Sequence, residues 1–325
     1  MGIGKRRKEL SLTQLGLSNL VMEPGQALEA MVGNTPLIAL RRVTRGLPAA
    51  VRILAKAEWL NPSGSIKDRP ALRIIQSALD RNQLGHGRRL LDSTSGNMGI
   101  AYATFGAALE IPVTLCVPAS ASVERLKLLR ALGAEVVLTD AGEGSDGAIL
   151  KARRMAEDQP NQFWYANQYD NEANWRAHYD STGPEIVAQS AEALTHFVAG
   201  TGTSGTLVGT GRYLRDRLPA VQIIGIEPDS PLHGLEGLKH MPTAIRPAIY
   251  DEQVAHRVLR VSTESAYGMM RQLARQEGLF VGISSGAAAV AALQLAAELK
   301  SGTVITVFPD AGFKYLSDDA LWVGA

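Results

Sequence analysis

The chain has 325 residues, 46% of them hydrophobic, with 33 basic side chains against 32 acidic ones and a net charge of +1. That length can bury one large core or two moderate ones. The charge balance excludes a global field that would recruit nucleic acid or an anionic membrane, so the expected partner is a small molecule.

At the N-terminus, "MGIGKRRKEL" is basic, and "SLTQLGLSNL" after it is too polar for a signal-peptide core. Residues 1–26 read as an arm, frayed or docked on a partner, with "KRRK" as solvated charge. "VRILAKAEW" predicts the first long strand. "NPSGSIKDRPALRII", residues 61–75, then predicts a turn that runs into a helix with Lys67 at its start. A lysine is unfavourable there, because the helix dipole is positive at its N-terminus. The same field lowers the lysine pKa, and a neutral amine is a nucleophile that forms Schiff bases.

"RLLDST" is the next strand, and "DSTSGNMGIAYA" continues it as strand, small polar turn and helix. Thr94, Ser95, Gly96 and Asn97 bring hydroxyls, an amide and backbone N–H groups to a helix start, which suits a carboxylate or another small anion. Helix capping accounts for one of these residues, not four. "VTLCVP" is a strand that carries the single cysteine, Cys116, expected to be a reduced core residue; a reducing, cytoplasmic compartment follows. In "SVERLKLLRALG", Val123, Leu126, Leu129 and Arg130 have helical spacing and Gly133 supplies the stop. "AEVVLTD" and "FWYAN" follow as strands.

"THFVAGT" ends in the most informative loop, Gly200-Thr201-Gly202-Thr203-Ser204-Gly205-Thr206, with a helix after it. Glycines let backbone N–H groups approach an anion, the helix adds its dipole and the hydroxyls add donors, so the loop is expected to hold a phosphate. Gly200, Gly202 and Gly205 also match G-x-G-x-x-G, with Glu227 closing the strand "VQIIGIEP". That is a dinucleotide fingerprint and makes an NAD(P)-binding oxidoreductase the rival reading. "EGLFVGISSGAAAVAALQLAAEL" places Ser284 and Ser285 at the start of an alanine-rich helix whose small residues imply close packing, and "TVITVFPD" is the last strand.

Several of these strands are continuously apolar, as strands buried on both faces of a parallel sheet are. The fold class is therefore α/β with mainly parallel sheets flanked by helices. The strands are too many for one sheet, so two lobes are expected, packed without a linker and divided near residues 60 and 172. No stretch reaches the roughly 18 to 20 apolar residues of a transmembrane helix, and no metal site is singled out. The glycine-rich turns fall at strand ends, where open α/β sheets place ligands. A lysine, a phosphate cradle, an anion clamp and a serine opposite would together serve a cofactor with a phosphate and an aldehyde.

With "GNTPL" at 33–37, "NPSGSIKDR" at 61–69, "TSGNMG" at 94–99, "NQYDNEANWRAHYDSTGPEI", "GTGTSGTLVGTGRYL" and "VGISSGA", the chain resembles the cysteine synthase and cystathionine β-synthase family of pyridoxal-phosphate enzymes. This is fold type II, tryptophan synthase β-like, and the resemblance runs from about residue 27 to the end. It implies a larger, phosphate-binding lobe from 27–60 plus 172–325, a smaller, mobile substrate lobe over 61–171, an active site between them and a homodimer. It makes Lys67 the internal-aldimine lysine and general acid/base, and sets Asn97 beside the 3′-oxygen of pyridoxal 5′-phosphate. Gly202, Thr203, Ser204, Gly205 and Thr206 would cradle the phosphate, and Ser284 would meet the pyridine nitrogen. Thr94, Ser95, Gly96, Asn97, Met98 and Gln168 would form the substrate site.

The implied reaction is β-replacement on an O-activated L-serine, O-acetylserine or O-phosphoserine, through an α-aminoacrylate. A sulfur nucleophile then gives L-cysteine. A hydroxyl at the ring nitrogen, unlike a carboxylate, does not stabilise a long-lived carbanion and favours concerted loss of the leaving group.

Two departures stand out: Met98, where the pattern has threonine, and Ser204, where it often has glycine. "EPDSPLHGLEGLKHM", 227–241, resembles the branch that includes sulfur-carrier-dependent members, making a sulfur-carrier protein a candidate partner. Its His233, Lys239 and His240 are candidates to meet a substrate phosphate. Cystathionine β-synthase-like condensation, or replacement by a non-sulfur nucleophile, is the alternative. Against a regulated cystathionine β-synthase, no further chain follows "LSDDALWVGA", and the arm has neither cysteine nor histidine for a haem.

Overall fold

The computed structural model describes residues 27–94, 96–191 and 193–322. The arm expected over residues 1–26, and Ser95 of the anion clamp, lie outside them.

In chain order the strands are β1 (Leu37–Ala39), β2 (Val51–Ala57), β3 (Arg89–Ser93), β4 (Val113–Pro118), β5 (Glu135–Thr139), β6 (Phe163–Tyr165), β7 (His196–Gly200), β8 (Gln222–Pro228), β9 (Arg257–Val261) and β10 (Gly302–Phe308). They form a six-stranded sheet in the order β1-β2-β10-β7-β8-β9 and a four-stranded sheet in the order β5-β4-β3-β6. β1 runs antiparallel to β2, and every other pairing is parallel. The continuous apolar runs occupy the sheet centres: all six residues of β4 are buried, as are six of the seven in β8. Parallel strands covered by helices on both faces demand that pattern.

The sequence reading missed the two edge strands of the larger sheet. β1 is three residues long, and "RVLRV" of β9 is mostly exposed, so neither carries the apolar run of a central strand. The opposite error is at "VRILAKAEW", where the strand stops at Ala57 and Glu58–Leu60 form a 3-10 turn.

The helices are α1 (Asp68–Asp80), α2 (Asn97–Ala108), α3 (Val123–Ala131), α4 (Gly144–Asp158), α5 (Glu172–Ala177), α6 (Gly183–Ser190), α7 (Gly205–Arg217), α8 (Thr263–Gln272) and α9 (Ile283–Ala297). α3 begins where Ser122 Oγ accepts from Arg125 N–H, and ends before Gly133, whose φ of +83° is left-handed. Buried residues form one hydrophobic cluster of β2, β8, β10 and α9 side chains and another of α1, α2 and β4 side chains. The small residues of α9 are needed for close approach, since a Cβ on Gly286 would stand 2.2 Å from the Ala266 carbonyl oxygen on α8. Among the described residues, no helix is long and apolar enough to cross a membrane. Cys116 is buried, and burial pushes its thiol up to about 11.

Candidate active site

The C-terminal ends of strands from both sheets open on one pocket. It is lined by Lys67, Thr94, Gly96, Asn97, Met98, Gln168, Gly202, Thr203, Ser204, Gly205, Thr206 and Ser284. Every described residue of the cofactor and substrate sites expected from the sequence is therefore on this wall. Thr94, Gly96, Asn97, Met98 and Gln168 reach it from the turns and the helix start that follow β3 and β6 of the four-stranded sheet, and Lys67, between β2 and α1, joins Gly202–Thr206 and Ser284 on the side of the six-stranded sheet.

Lys67 is the residue before α1 and has helical backbone angles. Burial pushes its amine below the usual lysine range, and the Asp310 carboxylate opposes that push. Desolvation by the packed protein thus favours the neutral amine. Asp68 follows it in the first turn, accepts from Ser63 N–H at 2.6 Å and from the Ser63 hydroxyl, and is pushed by burial up to about 6.

The phosphate-type loop is shaped by contacts that only glycine allows. A Cβ on Gly202 would lie 2.1 Å from the Gly237 carbonyl oxygen, and one on Gly205 would lie 2.0 Å from Asn174 Oδ1. Ser204 has φ +69°, in the left-handed region, so this chain holds a serine in a conformation that glycine adopts more readily. Thr203 Oγ1 accepts from Asn174 Nδ2 at 3.2 Å. The Thr206 hydroxyl faces His178 Nε2 at 3.4 Å, and His178 Nδ1 faces the Thr182 hydroxyl at 2.9 Å. Burial, with Arg69 and Lys67 nearby, holds His178 down at about 3, so it is neutral.

In the clamp, Thr94 Oγ1 accepts from the N–H groups of Gly96 and Gly99, both at 3.1 Å, and so fastens the start of α2. Gln168 Nε2 donates to the Ser93 carbonyl at 2.7 Å. Met98 is buried, at 2% exposure.

Several pocket residues were missed by the sequence reading. Arg125, Glu236 and Tyr315 line the same cavity. Arg125 donates through both terminal nitrogens to the Glu236 carboxylate, each at 2.5 Å, and lies over the Tyr315 ring. Lys239 stands over the Tyr169 ring and 3.8 Å from Asp146; of the three cations singled out in 227–241 it alone lines the pocket. His233 Nδ1 accepts from Leu235 N–H, and His240 Nδ1 faces the Thr243 hydroxyl, each within its own turn. The dinucleotide candidate Glu227 is buried at the end of β8 and does not line the pocket. One signal could have found part of this set: "PDAGFKY" directly follows the last central strand, at the sheet end where ligands bind.

The family model described as pyridoxal-phosphate dependent enzyme matches residues 28–310. A cysteine synthase of Aquifex aeolicus is 49% identical over 292 residues, 88% of this chain and 89% of that protein. A cysteine synthase B of Pseudomonas aeruginosa is 40% identical over 88% of this chain and 94% of its own. The crystal structure of a cysteine synthase from Entamoeba histolytica superposes with a TM-score of 0.88 at 31% identity, covering 100% of this chain and 94% of that one. The pocket fits the cofactor of such enzymes, with a desolvated lysine and a glycine-lined anion cradle facing one cavity. The chain belongs to the pyridoxal-phosphate-dependent enzyme family, in its cysteine synthase group.

Proposed function

We propose that this chain catalyses β-replacement on an O-activated L-serine, in which a sulfur nucleophile takes the place of the activated oxygen and L-cysteine is released. The observation that carries the reading is the shared pocket of Lys67 and the Gly202–Thr206 loop, in which burial disfavours the charged lysine. Bound pyridoxal phosphate supplies the electron withdrawal that labilises the substrate Cα–H bond and the bond to the β-oxygen. The protein supplies orientation and proton transfer.

Gly202, Thr203, Ser204, Gly205 and Thr206 would hold the phosphate, with the dipole of α7 behind them. Asn97 would sit at the 3′-oxygen and Ser284 at the ring nitrogen, where a neutral hydroxyl maintains no fixed positive charge. Thr94, Ser95, Gly96, Met98 and Gln168 would surround the amino-acid carboxylate. The Lys67 amine takes the Cα proton as the β-oxygen leaves, and returns a proton to Cα after the sulfur has added. Lys239 is the cation we assign to the phosphate of an O-phosphoserine substrate.

The lobe over 61–171 is taken to move against 27–60 plus 172–325, closing the pocket. The chain is taken to act as a cytoplasmic homodimer, with a sulfur-carrier protein as a candidate donor beside free sulfide.

Borohydride reduction of the loaded protein followed by peptide mapping should place the cofactor on Lys67, and label on another lysine would refute the assignment. A panel of O-acetylserine, O-phosphoserine and serine, each with sulfide, then identifies the leaving group. Lys239→Met should slow turnover of O-phosphoserine and spare O-acetylserine; equal effects on both would remove Lys239 from that role. Sedimentation that finds a stable, active monomer would exclude the dimer.

A further inference from the structure

The residues after the last strand have no part in the reading above, yet they meet the pocket from behind. β10 ends at Phe308, and the next two residues are pinned to both loops that carry pocket residues. Ile66 N–H donates to the Pro309 carbonyl at 2.8 Å, and Ser65 pairs with Asp310 in an isolated antiparallel bridge. On the other side, Gly282 N–H donates to the Asp310 carbonyl at 3.0 Å. Asp310 thus stands between the turn of Lys67 and the start of α9, which carries Ser284.

Its side chain is fully buried. One carboxylate oxygen, Oδ2, accepts from Asn97 Nδ2 and from the Tyr315 hydroxyl, each at 2.7 Å. The other, Oδ1, has no hydrogen-bond partner among the described residues and faces Gly282 so closely that a Cβ there would lie 2.1 Å from it. The Asn97 amide is held at its other end too, since its Oδ1 accepts from Lys314 Nζ at 2.6 Å. An acceptor at one end and a cation at the other fix which way this amide points.

We propose that Asp310 is a positioning residue for the pocket: its carboxylate orients the Asn97 amide and supplies the negative charge that governs how readily the Lys67 amine gives up its proton. This rests on the reading of Lys67 as the cofactor lysine. The groups that face the carboxylate are Lys314 and Tyr315 on its own segment, Asn97 from α2, and Arg125 from α3, itself paired with Glu236. Burial pushes Asp310 up, and all four of those neighbours favour its charged form. At Lys67 burial favours the neutral amine and Asp310 favours the ammonium; His178, which the charge of Lys67 also reaches, is neutral. The amine must be neutral to bond the cofactor and protonated to deliver a proton, and a fixed carboxylate balanced against desolvation keeps both forms within reach.

The test uses the folded apoprotein, so it does not depend on turnover. Competitive acetylation with acetic anhydride across the neutral and alkaline range, read by peptide mass spectrometry, gives the apparent pKa of Lys67. Asp310→Asn keeps an acceptor for Asn97 and Tyr315 but removes the charge. It should lower that pKa by about one unit, so that Lys67 labels roughly tenfold faster on the rising limb of the profile. Asp310→Ser removes the charge with a smaller side chain and should shift Lys67 in the same direction, which covers the case in which the asparagine variant does not fold. Asp310→Ser should also release pyridoxal phosphate faster than Asp310→Asn, because it loses the acceptor for Asn97. An unchanged Lys67 profile in either folded variant overturns the proposal. Borohydride mapping of the unmutated protein to a lysine other than Lys67 is a different outcome, and overturns the reading beneath it.

Discussion

At the scale of single residues, Met98 is where this chain departs from the family pattern and where packing and binding compete. It lies in the pocket wall and is also buried in the hydrophobic cluster of α1, α2 and β4. A thioether donates no hydrogen bond, whereas threonine would offer one to a substrate carboxylate. A bond to a charged group is worth about 1.5 to 3 kcal/mol, roughly ten- to a hundredfold in affinity. Removing the methionine from a packed core costs about 2 kcal/mol or more. Met98→Thr should therefore bind the amino-acid substrate more tightly, by about tenfold or more, while unfolding at lower denaturant concentration. Titration of the cofactor absorbance and a urea melt measure the two effects separately. Unchanged affinity with lowered stability would make Met98 a packing residue alone. The sequence exposed this position because it breaks a motif; its burial came only from the structure.

At the scale of elements, the junction of β2 and α1 that carries Lys67 is held by buried charge. Arg69 donates to Glu58 at 2.8 Å and to Glu185 at 2.7 Å, Lys56 donates to Glu185 at 2.6 Å, and the Thr35 hydroxyl donates to Glu58 at 2.6 Å. Burial alone would raise Glu58, but the Arg69 guanidinium and these hydrogen bonds outweigh it and hold the carboxyl at about 2, below its ordinary 4.5. The lowered value means that Glu58 adds stability which is fully present above 4.5 and is lost as pH falls from there toward 2. Arg69→Met leaves the buried Glu58 without its guanidinium, while Glu185 keeps Lys56, and should cost about 3 to 5 kcal/mol at neutral pH. Without the guanidinium, Glu58 is no longer held low, so the gap to the unmutated protein should narrow as pH falls through that window. Denaturant unfolding at several pH values measures it; a gap independent of pH would show that the arginine acts by packing alone. This network was not legible in the sequence. "KDR" showed a charged helix start, but Glu58 read as the end of a strand and Glu185 lies 116 residues from Arg69.

At the scale of the whole molecule, side-chain pairs join elements of the two sheets beside the pocket. The Arg125–Glu236 pair ties α3, beside the four-stranded sheet, to the segment after β8 of the six-stranded sheet. The Ser317 hydroxyl donates to Glu124 at 3.1 Å, tying α3 to the segment after β10. Glu236 is 40% exposed at its side chain, so the pair adds little to global stability. Its effect should instead be local, on how often the proposed mobile lobe lifts. Glu236→Gln should leave the unfolding midpoint nearly unchanged and speed amide hydrogen exchange in α3 and in residues 229–241. Exchange unaltered in both segments would show that the ion pair does not restrain the lobe.

The sequence by itself determined the central strands, the α/β class and the loops that face the pocket. Each of those features is written locally, as an unbroken apolar run or as glycines and hydroxyls at a strand end. Tertiary structure decided the rest. The edge strands β1 and β9 exist because a neighbour supplies their hydrogen bonds, not because their residues demand it. The ionisation of Lys67 is shaped by the protein packed around it and by Asp310, far away in the chain, neither of which the helix start visible in the sequence reveals. Desolvation and charge act through space, and a chain declares its spatial neighbours only once it has folded.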